Sequence, residues 1–110
     1  MIKRTKSQAK AKETKEQLPN LLANVPAEHA FLCHDGKVFT DMKELTEGLA
    51  AMSDETFSYH ANPEKNDFAN WVRDIIKDEK LARDLMNSSD REQAAKRVAE
   101  RVDYLKTKLV

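Results

Sequence analysis

The stretch from Tyr59 to Leu85, YHANPEKNDFANWVRDIIKDEKLARDL, limits what this chain can fold into more than any other part of it. Phe68, Trp71, Val72, Ile75 and Ile76 recur at the i, i+3, i+4, i+7, i+8 spacing of one face of an α-helix. This predicts an amphipathic helix from Asp67 to about Lys77, with Trp71, the only Trp in the sequence, at its centre. Burying five such side chains at about 1.5–3 kcal/mol each would make it the main contributor to a core. Asn66 or Asp67 can cap its start, because a short polar side chain accepts from an otherwise unpaired N–H of the first turn. Asn62-Pro63 breaks the chain just upstream.

His60 stands immediately before that break, close in sequence to Asn62 and Asp67, either of which could bond its ring. His60, Asn62, Asn66, Asp67 and Trp71 therefore make a candidate polar corner or small-ligand site. The structural reading outranks the ligand one: His60 ends one helix and ties it to the next, since a buried imidazole needs partners and a lone His is not a catalytic set.

The remaining sequence is consistent with a single helical domain. A chain of 110 residues supports one core without disulfides or metal. With 35% charged residues, 6% aromatics, two glycines and three prolines, it favours helix over sheet. The expected class is mainly α (α+β): a compact multi-helix domain over 18–110, with one N-terminal β-hairpin at about 30–40 and a long C-terminal helix. One cysteine, no long apolar run and a Lys-rich start without the apolar segment of a signal peptide point to a cytoplasmic protein with no membrane association.

Net charge is zero, but the charge is unevenly placed. Lys3, Arg4, Lys6, Lys10, Lys12 and Lys15 face only Glu13 and Glu16 in the first 20 residues, a surplus of four positive charges that leaves the remainder equally negative. Residues 1–17 hold too few apolar side chains for a buried face and read as a basic polar arm, a frayed helix or disordered. Such an arm can attract nucleic acid, an acidic protein or the body itself. Those six cations are the candidate contacts to a nucleic acid, a ribosome or a protein partner, although no aromatic residue is interleaved for base stacking.

Local signals order the body. Leu18, Leu21, Leu22 and Val25 form a short apolar stripe, with Pro19 suited to the first helical position and Pro26 acting as a stop. Asp35-Gly36, between the apolar runs at Ala30–His34 and Lys37–Thr40, predicts a hairpin with a two-residue type I′ turn, and no other strand candidate is as good. Asp41 with Glu44 resembles a capping box for a helix whose stripe is Met42, Leu45, Leu49 and Met52, and Gly48 within it marks a close contact. Ser53 caps a short helix through Phe57 to His60. Asp78 caps another directly after Lys77, which forces a sharp corner, with Leu81, Ala82, Leu85 and Met86 inward. Ser89 with Glu92 makes the capping box of the last helix, from about Asp90 to Lys108, whose inner side is Ala94, Ala95, Val98, Ala99, Val102, Leu105 and Leu109.

Catalytic and metal chemistry find little support. Cys33 and His34 are strand neighbours and point to opposite faces, and no zinc spacing is present among His29, Cys33, His34 and His60, so no metal or other cofactor is expected. Nothing marks Cys33 as an activated thiolate. A helix-turn-helix has roughly the right outline, with Arg91, Lys96, Arg97 and Arg101 on the second helix, but Asp90, Glu92, Glu100 and Asp103 dilute its positive face.

Phe31 with Asp35-Gly36, Glu44-Leu45, His60, Asn66-Asp67-Phe68 with Trp71-Val72, and Asp78 with Leu81-Ala82 follow one another in an order that resembles an uncharacterised family of small prokaryotic domains, mainly archaeal, of unknown function. The resemblance covers about Ala27 to Met86. It implies a helical domain with an N-terminal hairpin and carries no catalytic assignment. The expected function is a non-catalytic protein-interaction or accessory module. The alternatives are nucleic-acid or ribosome binding through the arm, and small-ligand binding near His60 and Trp71.

Overall fold

The computed structural model describes residues 21–108. The arm, with Lys3, Arg4, Lys6, Lys10, Lys12 and Lys15, lies outside them, as do Leu18, Pro19 and Leu109. Leu21 and Leu22 are helical and Leu21 is buried, but the helix does not run on to Pro26 as the stripe predicts. Instead the chain turns out to lie beside the first hairpin, where the Val25 N–H donates to the Thr40 carbonyl at 2.7 Å. A 3-10 turn follows at Ala27–His29.

Strands β1 (Phe31–Leu32) and β2 (Val38–Phe39) pair antiparallel, Phe31 opposite Phe39 and Leu32 opposite Val38. The hairpin is where the sequence places it, but its turn differs. Cys33 N–H donates to Lys37 O at 2.8 Å and Gly36 N–H to Cys33 O at 2.9 Å, so the loop is the three residues His34, Asp35 and Gly36. Within this loop only Gly36 has positive φ, at 94°, which matches a type I turn closed by a bulge glycine rather than type I′. The Asp35 carboxylate accepts from the Lys37 N–H and stabilises this form. The extra loop residue shifts the pairing by one and removes His34 from the ladder.

Helix α1 (Met42–Ala51) starts where Asp41 accepts from the Glu44 N–H. Glu44 reaches back to the Thr40 N–H and hydroxyl, one residue earlier than in the usual capping box. Helix α2 (Asp54–His60) is capped by Ser53. A second hairpin, unforeseen in the sequence, then joins β3 (Ala61–Asn62) to β4 (Lys65–Asn66). Asn62 Oδ1 accepts the N–H groups of Glu64 and Lys65, the first position of an Asn-Pro turn. Its flanks are too polar and too short to show strand alternation.

Helix α3 (Asp67–Trp71) is capped by Asn66, whose Oδ1 accepts from Ala69 N–H, and continues as a π-helical turn over Val72–Ile76. The widened turn is a departure from the regular helix expected to Lys77. Lys77 adopts the left-handed conformation at φ 76°, and the N–H groups of Lys77 and Asp78 both donate to Val72 O. This turns the chain without a linker into helix α4 (Glu79–Met86), capped by Asp78. The last helix, α5 (Arg91–Lys108), is capped by Asp90, which accepts from Gln93 N–H, while Gln93 accepts from Ser89 N–H. The box is therefore Asp90 with Gln93, one residue later than Ser89 with Glu92.

Helix α5 packs along α1 and against α4, and α4 packs on α3. The core is continuous from Leu21 to Leu105. Phe31 lies at the centre of its aromatic part, 5.0 Å from Phe68 and 5.9 Å from both Phe39 and Trp71. Phe68 is more deeply buried than Trp71, whose indole N–H reaches the His29 carbonyl at 2.8 Å and fastens the 3-10 turn to α3. Ile75 is only partly buried, because the π turn rotates it off the inner face.

Candidate functional site

Four of the five polar-corner residues gather at the second hairpin. His60 closes α2 and is 5% exposed. Its Nδ1 lies 3.0 Å from Asp67 Oδ2, and its Nε2 is 2.9 Å from the His34 backbone nitrogen. That N–H can only donate, so Nε2 is the acceptor and Nδ1 carries the proton given to Asp67. The three-residue loop of the first hairpin makes this possible, since His34 has left the strand ladder. One imidazole therefore links α2, α3 and both hairpins.

Asn62 does not bond His60, although its position allowed it. Its Nδ2 donates to the Ser58 carbonyl at 2.9 Å while its Oδ1 holds the turn. Asn66 caps α3 and donates to the Leu85 carbonyl, tying β4 to the end of α4. Trp71 lies on the far side of Phe31, which touches both rings.

Outside the corner, His34 stacks on Tyr59 with centroids 3.9 Å apart, and Lys65 lies 4.8 Å over the Tyr59 ring while pairing with Asp67 at 3.0 Å. Partial burial of Asp67 would raise its pKa, but the hydrogen bonds from His60 and Lys65 outweigh it and hold the carboxyl below the ordinary range. Both ring nitrogens of His60 are committed. A ligand at His60 would have to displace Asp67 or the His34 N–H.

Cys33 is buried, and that burial pushes its thiol up, away from thiolate. Among the described residues, no group of three His, Cys, Asp or Glu side chains converges as a metal site would require. No described helix is long and apolar enough to cross a membrane.

The outline of a helix-turn-helix dissolves in the structure, because three of its four cations are turned inward to the protein's own groups. Arg91 bonds Asp54 and the carbonyls of Leu49 and Ala50 at the end of α1. Arg97 reaches the Asp84 carbonyl in α4, and Arg101 is buried against Asp78. Sequence reading missed these roles because an arginine on a polar helix face looks the same whether its partner is solvent, phosphate or a helix end.

One further surface escaped the sequence. Leu32 is 72% exposed and Val38 is 51% exposed, and they oppose each other on the outward face of the first hairpin. Comparison with known proteins finds no matching family model, curated protein or solved structure.

Proposed function

We propose that this chain is a non-catalytic protein-interaction module whose contact face is the outward side of the first hairpin. The observation that carries the reading is the Leu32–Val38 pair. Single apolar side chains are ordinary on a protein surface, but two aliphatic residues directly opposed across a pair of strands form a joined patch. Residues Cys33 and Lys37 share a ladder hydrogen bond, so the Leu32–Val38 pair alternates into the position where side chains approach most closely. The inner face of the hairpin is fixed by Phe31 and Phe39 in the core, and its loop by the His34–His60 bond. A patch held this way loses little conformational freedom on binding, which favours association. Its complement is an apolar patch on a partner protein.

The experiment replaces Leu32 with a photo-reactive amino acid in the full chain and compares capture in cells with the same probe at Glu100, exposed on α5. Support is one discrete adduct from position 32 that is lost when Val38→Asp is added and the fold is retained by circular dichroism. The same adducts from both positions, or none from position 32, would count against it.

Nucleic-acid or ribosome binding is the second reading, supported by the clustered cations of residues 1–17. With Arg91, Arg97 and Arg101 engaged internally, it rests on the arm. It requires affinity for RNA or DNA that falls steeply with salt and is lost when the six arm cations are replaced by Gln. Binding that survives those replacements eliminates it.

A further inference from the structure

A groove of about 660 Å³ runs between the second hairpin and the α4–α5 turn. Phe57, Ala61, Pro63 and Met86 form its apolar lining, and Met86, expected inward with Leu81, Ala82 and Leu85, is instead 59% exposed at the end of α4. Lys65 and Arg91 are its cations, and both are held by internal partners, Lys65 by Asp67 at 3.0 Å and Arg91 by Asp54 at 2.9 Å.

The carboxylates of the groove are less committed. Glu64 has no side-chain partner among the described residues. Asp54 gives one oxygen to Arg91 and Asp90 gives one to the Gln93 N–H, and both residues are exposed. An apolar seat with negative charge around it suits a segment that carries an aliphatic side chain next to cations.

The chain contains such a segment. Ile2 is the one branched aliphatic residue among residues 1–17, and Lys3 and Arg4 follow it directly. We propose that the groove seats the basic arm of the same molecule, with Ile2 against Met86 and Phe57 and with Lys3 and Arg4 over Glu64, Asp54 and Asp90. Reach is not limiting: the residues between Arg4 and Leu21 extend to about 56 Å, beyond the 48 Å longest dimension of the described residues. The tether supplies an effective concentration of order millimolar, so modest charge pairing suffices. A polyanion that competes for the same cations would draw the arm away, which makes the groove a filter on what the arm binds.

The experiment uses the full chain with benzoylphenylalanine in place of Ile2, irradiated when dilute. The expected product has monomer mass, with the cross-link at Met86 or within residues 61–64. Its yield falls roughly three- to tenfold in Glu64→Lys and in about 0.5 M salt. Glu100→Lys, which changes net charge equally on α5, leaves the yield unchanged. Glu64 sits in an exposed turn, and circular dichroism on each variant verifies the fold. Adducts on other faces, adducts of dimer mass, no adduct, or equal yields in Glu64→Lys and the parent would each overturn the proposal.

Discussion

Asp78 and Arg101, 23 residues apart in sequence, form a two-point ion pair inside the protein, with Arg101 Nε 2.8 Å from Oδ2 and an η nitrogen 3.2 Å from Oδ1. Their side chains are 1% and 5% exposed. Asp78 also accepts from the Leu81 N–H, so one carboxylate starts α4 and anchors α5 to it. The sharp corner at Lys77 is what brings Asp78 to the inside.

Removing the Arg101 guanidinium leaves the Asp78 carboxylate buried without its cation. Arg101→Met should destabilise the protein by about 3–5 kcal/mol. Adding Asp78→Asn, which keeps an oxygen for the Leu81 N–H but removes the charge, should recover part of that loss. Urea denaturation of the two single variants and the double variant would measure it, and an additive double variant would contradict the coupling.

Gly48 has no room for a side chain. A Cβ there would overlap the ring of Phe39, which is itself buried and stacked on Phe31. Helix propensity alone would make Gly48→Ala stabilising by about 1 kcal/mol. Overpacking of about 1–3 kcal/mol opposes it, and because the Phe39 ring cannot swing away the variant should lose stability. Phe39→Leu in the same background should narrow the gap in a thermal melt.

Lys77 occupies a left-handed position that glycine normally takes at a helix end. The conformation costs an L-residue about 1–2 kcal/mol, part of which glycine gives back through greater unfolded-state freedom. Lys77→Gly should therefore raise stability by about 0.5–1 kcal/mol, read as a higher urea midpoint at unchanged slope.

Acid should weaken the corner through Asp67. Its folded-state pKa is lowered by the hydrogen bonds from His60 and Lys65 despite partial burial, so the unfolded chain takes up the proton more readily. The stabilisation is complete above the unfolded value of about 4 and is lost as pH falls through the lower folded value. Asp67→Asn, which can still accept from His60, should show a flatter fall in stability over this range than the parent. Parallel acid limbs in the two proteins would remove Asp67 as the cause.

Much of the fold was legible along the chain because its signals are local. The stripe from Met42 to Met52, the caps at Asp41, Ser53, Asn66 and Asp78, and the breaker at Asn62-Pro63 each act within four or five residues, where periodicity and short polar side chains determine the backbone. Gly48 was readable for the same reason: a glycine inside a helix stripe costs propensity and so marks a contact.

What the sequence left open depends on partners distant in the chain. That His60 bonds Asp67 rather than Asn62 follows from the turn and the Ser58 carbonyl that engage Asn62, and that its other nitrogen takes the His34 N–H follows from a loop one residue longer than Asp-Gly suggests. The inward roles of Arg91, Arg97 and Arg101 needed the ends of α1 and α4 to be brought to α5. The amphipathic pattern determined by itself that Phe68, Trp71 and Val72 would be buried, because water excludes them whatever they meet. Only the tertiary structure decided which polar atoms they are buried with, because a hydrogen bond requires a donor and an acceptor about 3 Å apart, a condition that sequence neighbours rarely set.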